Sequence, residues 1–199
     1  HIELILGNSN SKFSGVTSTM LQVVQYQKEL IPLAVLGSYH LPSDVTSIRF
    51  HETVRLCRRP LSDGKVRVFH ARRNNEMLQA IALKKLSPHP LKIAFTSTAQ
   101  REHSWITRWL IRQADAVIST CTAAASYIQD GPDVIIPHGV DLERFQPSIN
   151  RSALWSKLGF PGRYGIGIFG RVRHQKGVDV LVEAILPILS HFPDFTVIV

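Results

Sequence analysis

The sequence is poor in cysteine, in long apolar runs and in blocks of like charge. Only Cys57 and Cys121 occur among its 199 residues. They form no Cys-x-x-Cys pair and no zinc-ligand spacing, which excludes a disulfide framework and reads as two free buried thiols in a reducing compartment. No apolar run approaches the roughly 20 residues that span a bilayer. Nine histidines are present, but none stands in His-x-His or His-Glu-x-x-His spacing, so zinc chemistry has no motif. A Gly-x-Ser-x-Gly elbow and the Gly-Lys-Ser/Thr ending of a P-loop are also missing, which leaves serine hydrolysis and nucleotide hydrolysis unsupported. Tandem repeats and low-complexity tracts are absent.

Apolar residues make up 44% and charged residues 19%, ordinary for a folded domain and too apolar for disorder. The net charge is +8, and most of the excess falls in the first 140 residues, which carry 16 of the 23 Lys and Arg against 10 of the 15 Asp and Glu. A basic first part implies an anionic partner, whether phosphate, an anionic lipid surface or nucleic acid. With no lysine block and no basic stretch interleaved with aromatics, nucleic acid is the weakest of the three.

Short β-rich runs alternate with helical patterns. Strands are predicted at 2–6, 32–36, 66–70, 91–96, 115–119, 133–137, 165–169 and 194–199. Helices are predicted at 17–30, 45–58, 74–86, 103–114, 121–129, 150–158 and 177–191. Thr17 or Ser18 is the predicted cap of the first helix, with Met20, Leu21, Val24 and Leu30 as its apolar stripe. Ala116-Val117-Ile118 and Val134-Ile135-Ile136 are apolar without alternation, as in strands buried on both faces. The alternation predicts an α/β fold with a doubly wound, Rossmann-like parallel sheet. The Pro- and Gly-bearing segment from Pro137 to Pro147 breaks the rhythm. It divides a domain at 1–145 from a second unit at 146–199, expected to be the first βαβ part of another Rossmann-like domain. The chain opens in a strand-like run and stops in one, so it reads as a piece of a longer protein at both ends.

The strongest chemical motif is Gly165-Ile-Gly-Ile-Phe-Gly170-Arg171-Val-Arg173-His174-Gln-Lys176-Gly177. A predicted strand ends at Gly170 and a helix opens at Gly177. Ligands of open α/β sheets lie beyond the carboxyl ends of strands. Gly170 admits close approach, Arg171 can grip a phosphate with two donors, Lys176 adds a point charge, and the helix start supplies free amides. Together these parts make a diphosphate clamp; the bland alternative is a solvated basic loop. Gly165, Gly167 and Gly170 also spell the dinucleotide fingerprint. Here, however, the motif is itself the strand, and the nearest acid, Glu183, falls inside the next helix, which argues against a dehydrogenase.

Three further loops follow predicted strands. Gly7 to Thr17 is polar and long for a βα connection; Asn10, Lys12, Ser14 and Gly15 are its candidate ligand contacts, Ser14 and Gly15 near a helix start that suits an anion. Phe69 to Glu76 contributes His70 and Arg72, with Asn74 as a helix cap and Arg73 solvated in the bland reading. Thr96 to Ser104 contributes Gln100, Arg101 and His103; alternatively His103 only begins a helix that buries Trp105, Ile106 and Trp109. Trp155 and Leu158 read as core.

Gly170-Arg171 with Lys176-Gly177, preceded by Ile136-Pro137-His138-Gly139-Val140-Asp141 with Phe145 and Pro147, resembles the GT-B glycosyltransferases of family 4. His138 stands where that hinge usually has Asn; His138, Gly139 and Asp141 are the hinge residues. Asn8 to Ser11, Phe13 to Leu21 and Ala71 to Met77 are similar to the lipopolysaccharide-core mannosyltransferases of α-proteobacteria. The resemblance implies a GT-B N-terminal acceptor-side domain and the start of a nucleotide-sugar-binding domain. It implies retaining transfer of mannose from GDP-mannose to a lipid-A-linked core oligosaccharide, without a metal or other cofactor. Arg171 and Lys176 would neutralise the departing phosphate, the Gly15 loop would cover the donor phosphates, and His103 is the candidate catalytic side chain. Thr96 to Ala99 occupy the place where many relatives carry a His. The family's two donor-binding glutamates, eight positions apart, have no counterpart in this sequence, so the chain alone is expected to have little transferase activity; the alternative reading is a non-catalytic orphan domain that binds anionic lipid or a partner chain. The implied setting is cytoplasmic, peripheral to the anionic inner-membrane surface.

Overall fold

The computed structural model describes residues 1–62, 64–170, 172 and 174–199, with Gln175 described by its backbone alone. The chain divides into two units, His1–Asp141 and Leu142–Val199. Among the described residues no helix is long and apolar enough to cross a membrane.

The first unit contains β1 (Leu4–Gly7), α1 (Gly15–Leu30), β2 (Leu33–Leu36), β3 (Ser47–Ile48), α2 (Phe50–Cys57), β4 (Arg67–Ala71), α3 (Asn74–Leu86), β5 (Leu91–Ser97), α4 (Trp105–Ile111), β6 (Ala116–Ser119), α5 (Thr122–Ala125) and β7 (Val134–Ile135). The strands form one parallel sheet in the order β3-β2-β1-β4-β5-β6-β7. Successive side chains of a strand point to opposite faces. Ile5, Phe69, Ile93 and Phe95 accordingly join Met77, Ala80, Leu83 and Leu110 in one buried cluster. Leu4, Leu6, Leu33 and Val35 join Met20 and Val24 in a second. The α/β, doubly wound fold is therefore as expected.

Several local expectations are corrected. The stretch predicted as a helix from 45 begins instead with the short strand β3, because Val35 N–H bonds Thr46 O at 2.9 Å and Gly37 N–H bonds Ile48 O at 3.1 Å. Helix α1 is capped by Ser14, whose Oγ accepts from Thr17 N–H, rather than by Thr17 or Ser18. Leu30 lies outside that helix's buried stripe, at 84% exposure. Strand β7 is an edge strand, so Val134, Ile135 and Ile136 are exposed where burial on both faces was expected. Helix α4 buries only Leu110 and leaves Trp105, Ile106 and Trp109 exposed. Cys57 is buried, but Cys121 is only partly so; both are free.

The second unit contains α6 (Arg151–Lys157), β8 (Tyr164–Gly167), a single 3-10 turn at His174–Lys176, α7 (Val178–Leu189) and β9 (Phe195–Ile198). Strands β8 and β9 pair in parallel across α7, from Tyr164↔Phe195 to Gly167↔Ile198. This is the expected βαβ piece, the unit from which Rossmann-like sheets are built. Trp155 packs on Phe160 with ring centres 5.1 Å apart, whereas Leu158, expected in the core, is exposed.

Candidate functional site

In the first unit the strand order reverses between β1 and β4, and ligands of such sheets bind at that switch point, beyond the carboxyl ends of the strands. Gly7 ends β1 and Ala71 ends β4. The loop after β1 is held there by a carboxylate from α3. Glu76 is fully buried. Its Oε1 accepts from Ser9 Oγ at 3.3 Å and Arg73 Nη1 at 2.7 Å, and its Oε2 accepts from the Arg72 N–H at 2.8 Å. Gly7 is required beside it, since a Cβ there would stand 2.8 Å from Glu76 Cγ. Arg73 Nη2 donates onward to Ser14 Oγ at 3.1 Å and Thr17 Oγ1 at 2.8 Å, tying the start of α1 to the start of α3. Arg73 is thus a structural cation rather than a solvated one, and it occupies the cap position of α3 that Asn74 was expected to take.

His70 and Arg72 meet in a cavity of about 240 Å³, with α1 contributing Thr19, β5 and its end Thr96 and Thr98, and the segment after β7 His138 and Gly139. The His70 ring lies 2.7 Å from Thr96 Oγ1 through Nε2. Burial, with the nearby Arg72 charge, pushes its pKa down to about 3, so the ring is neutral. Burial also holds Arg72 down to about 10, with the Glu76 charge opposing that shift. Arg72 lines a second cavity, of about 440 Å³, together with Arg101 and His103. His103 is buried with its Nε2 3.3 Å from Ser97 Oγ, and burial lowers its pKa. Gln100 turns away to Cys121 Sγ at 3.5 Å.

The remaining candidates of this unit do not line those two cavities. Asn10 closes its own loop by accepting from the Lys12 N–H at 2.9 Å, and Lys12 is exposed. Ser14 caps α1 as described, and around Gly15 a Cβ would meet nothing within 4 Å. Asp141 is the last residue of the unit.

In the second unit, Gly170 and Gly177 both have positive φ, +141° and +70°, which an L side chain rarely adopts. Strand β8 ends at Gly167, three residues before the predicted end at Gly170. A Cβ on Gly170 would lie 3.8 Å from Lys176 Cε, so the lysine stem folds back over that glycine. Gly177 caps α7 in the left-handed conformation. Arg171 and Arg173 lie outside the described residues. Among the described residues, no three His, Cys, Asp or Glu side chains form a group able to hold a metal ion.

Glu76 and Thr98 were given no role by sequence reasoning. The signal for Glu76 was present: an acid at the third position of a helix, directly after a strand and a pair of arginines.

No family model matches the chain. It is 44% identical over its whole length to the lipopolysaccharide core biosynthesis mannosyltransferase LpsB of Rhizobium meliloti (strain 1021) and 43% identical to the corresponding enzyme LpcC of Rhizobium leguminosarum bv. viciae. In each case it spans 56% of the relative's length. Among solved structures, it superposes on Anabaena HepE in complex with UDP-glucose with a TM-score of 0.69 at 17% identity, covering 99% of this chain and 60% of that one. It superposes on the lipopolysaccharide outer core galactosyltransferase WaaB with a TM-score of 0.59 at 11% identity, covering 98% and 59%. The chain is therefore a homologue, over its whole length, of lipopolysaccharide-core mannosyltransferases, and its fold is that of the GT-B glycosyltransferases.

Proposed function

We propose that the chain carries the acceptor side and the donor-phosphate clamp of a retaining family 4 mannosyltransferase of lipopolysaccharide-core assembly. The donor is GDP-mannose and the acceptor a lipid-A-linked core oligosaccharide. The reading is carried by the 44% identity to LpsB across every part of the chain. The neighbour solved with UDP-glucose supports a nucleotide sugar as the class of donor.

In the proposed reaction the bond between the mannose anomeric carbon and the β-phosphate oxygen breaks, and its electron pair stays with the phosphate. The acceptor hydroxyl oxygen bonds the anomeric carbon, and its proton passes to the departing diphosphate. The developing charge needs fixed cations in a closed site. Arg171 and Lys176 supply them, with the Gly177 end of α7 adding free amides, and the reaction calls for no metal. Ser14 and Gly15, at the start of α1, are the first unit's proposed donor-phosphate contacts. His103, buried and lowered in pKa, orients an acceptor hydroxyl. His138, Gly139 and Asp141 form the hinge.

The acceptor sits on a membrane, and the first unit has the surface for one. Trp105 and Trp109 are exposed on α4 beside the exposed Arg101, Arg108 and Arg112. Amphipathic rings and cations together suit an anionic lipid surface, which supports a peripheral setting on the cytoplasmic face of the inner membrane as part of this reading.

Equilibrium dialysis against radiolabelled GDP-mannose tests the donor half. Saturable binding, displaced by GDP but far less by GMP, is expected, because only GDP has the second phosphate. No binding, or equal displacement by GMP, overturns the reading.

A further inference from the structure

The cavity between β4, β5 and the segment after β7 is lined by a guanidinium with one nitrogen left unpaired among the described residues. Two guanidiniums, Arg72 and Arg73, share one carboxylate, Glu76. Arg73 takes the ion pair at 2.7 Å, while Arg72 gives Glu76 only its backbone N–H. Arg72 Nη1 is buried and meets no hydrogen-bond acceptor among the described residues. This cavity contains no Asp or Glu among them, the acid Glu102 lining only the second cavity that Arg72 reaches; its other polar groups are hydroxyls, amides and the neutral imidazole of His70. A buried donor on a cation costs free energy when left unmade, and the cost disappears when an anionic oxygen reaches it.

We propose that Arg72 is an anion anchor for the acceptor: it binds a carboxylate or phosphate oxygen of an acidic sugar, with Thr96 and Thr98 lining the same space. The inference rests on the reading of this unit as the acceptor side and names the chemistry its acceptor must carry. His70 is held by Thr96 as a neutral spacer and adds no competing charge. Arg72 lines both of the cavities described above, so one bound oxyanion fixes how the rest of the sugar lies between them.

The test is ligand-observed NMR at constant ionic strength on the 199-residue chain carrying Arg171→Ala and Lys176→Ala, which removes the other phosphate-binding candidates. The probes are glucuronate, glucose 1-phosphate and glucose. At least one anionic probe is expected to bind about tenfold or more tightly than glucose, a difference of about 1.4 kcal/mol. Glucuronate ahead of glucose 1-phosphate identifies a carboxylate as the source, and the reverse order a phosphate. Arg72→Gln is expected to erase the preference, and Arg72→Lys to keep part of it.

Should Arg72→Gln not fold, the folded parent is used alone. Inorganic phosphate is then expected to displace the preferred probe and to move the His70 ring resonance. Equal binding of all three probes, a preference that survives Arg72→Gln, or phosphate that leaves the His70 resonance in place overturns the proposal. Retention of GDP binding by the chain without these substitutions separates that failure from failure of the glycosyltransferase reading.

Discussion

Glu76 and Arg73, three residues apart at the start of α3, form an ion pair of 2.7 Å in which the carboxylate is fully buried and the arginine side chain 16% exposed. Around it the loop after β1, the start of α1 and the end of β4 are fixed relative to one another. Replacing Glu76 with Gln leaves a largely buried cation without its partner, a change that costs about 3–5 kcal/mol in buried pairs. Urea unfolding of Glu76→Gln is expected to show a loss in that range. A loss of less than about 1 kcal/mol would mean the pair has no structural weight.

Gly7→Ala is expected to disturb the same anchor from the other side. Its Cβ would crowd Glu76 Cγ, Cδ and Cβ, at 2.8, 2.9 and 3.0 Å. Because that side chain is buried and held by several donors, it has little freedom to move aside. Overpacking of this kind costs about 1–3 kcal/mol, and hydrogen exchange of the 8–14 loop amides should accelerate in the variant. Unchanged stability and exchange would contradict the close approach.

His70 gives the first unit a pH dependence of definite sign. Its folded pKa, pushed down to about 3 by burial and then by the Arg72 charge, lies below the unfolded value near 6.5. Between those values the unfolded chain binds the proton and the folded chain does not, so stability falls as pH drops from about 6.5 towards 3. His70→Asn removes that contribution and is expected to flatten the slope by one proton's worth over this window. Parallel stability curves for the two proteins would contradict it.

The exposed rings of α4 bear on membrane binding. Trp105→Ser with Trp109→Ser is expected to reduce co-sedimentation with anionic vesicles several-fold, and added salt is expected to weaken binding of the parent chain. Binding indifferent to both the double variant and salt would count against a membrane-facing α4.

How far the sequence alone reveals this molecule depends on how local each signal is. Alternation of strand and helix is local, and α3 was placed to the residue, at Asn74–Leu86. The cap of α1 was not, because Thr17 and Ser18 are equally good cap types. What marks Ser14 is Arg73, 59 residues away in sequence. Exposure is likewise a tertiary property. Val134-Ile135-Ile136 and Trp105 have the composition of core, yet one lies at a sheet edge and the other on a helix face with no cover within its own unit. His70 and Arg72 were legible as residues where a strand ends. That Arg72 Nη1 meets no acceptor among the described residues was not, since only folding reveals that Arg73 has claimed the Glu76 ion pair.

The central claim is that the loop from Gly170 to Gly177 holds a nucleotide diphosphate. Calorimetric titration of GDP into the parent chain and into the Arg171→Ala, Lys176→Ala variant addresses it most directly. The expected result is at least a tenfold weaker GDP affinity in the variant, about 1.4 kcal/mol or more, with GMP affinity little changed. Identical GDP affinity in the two proteins would contradict the claim.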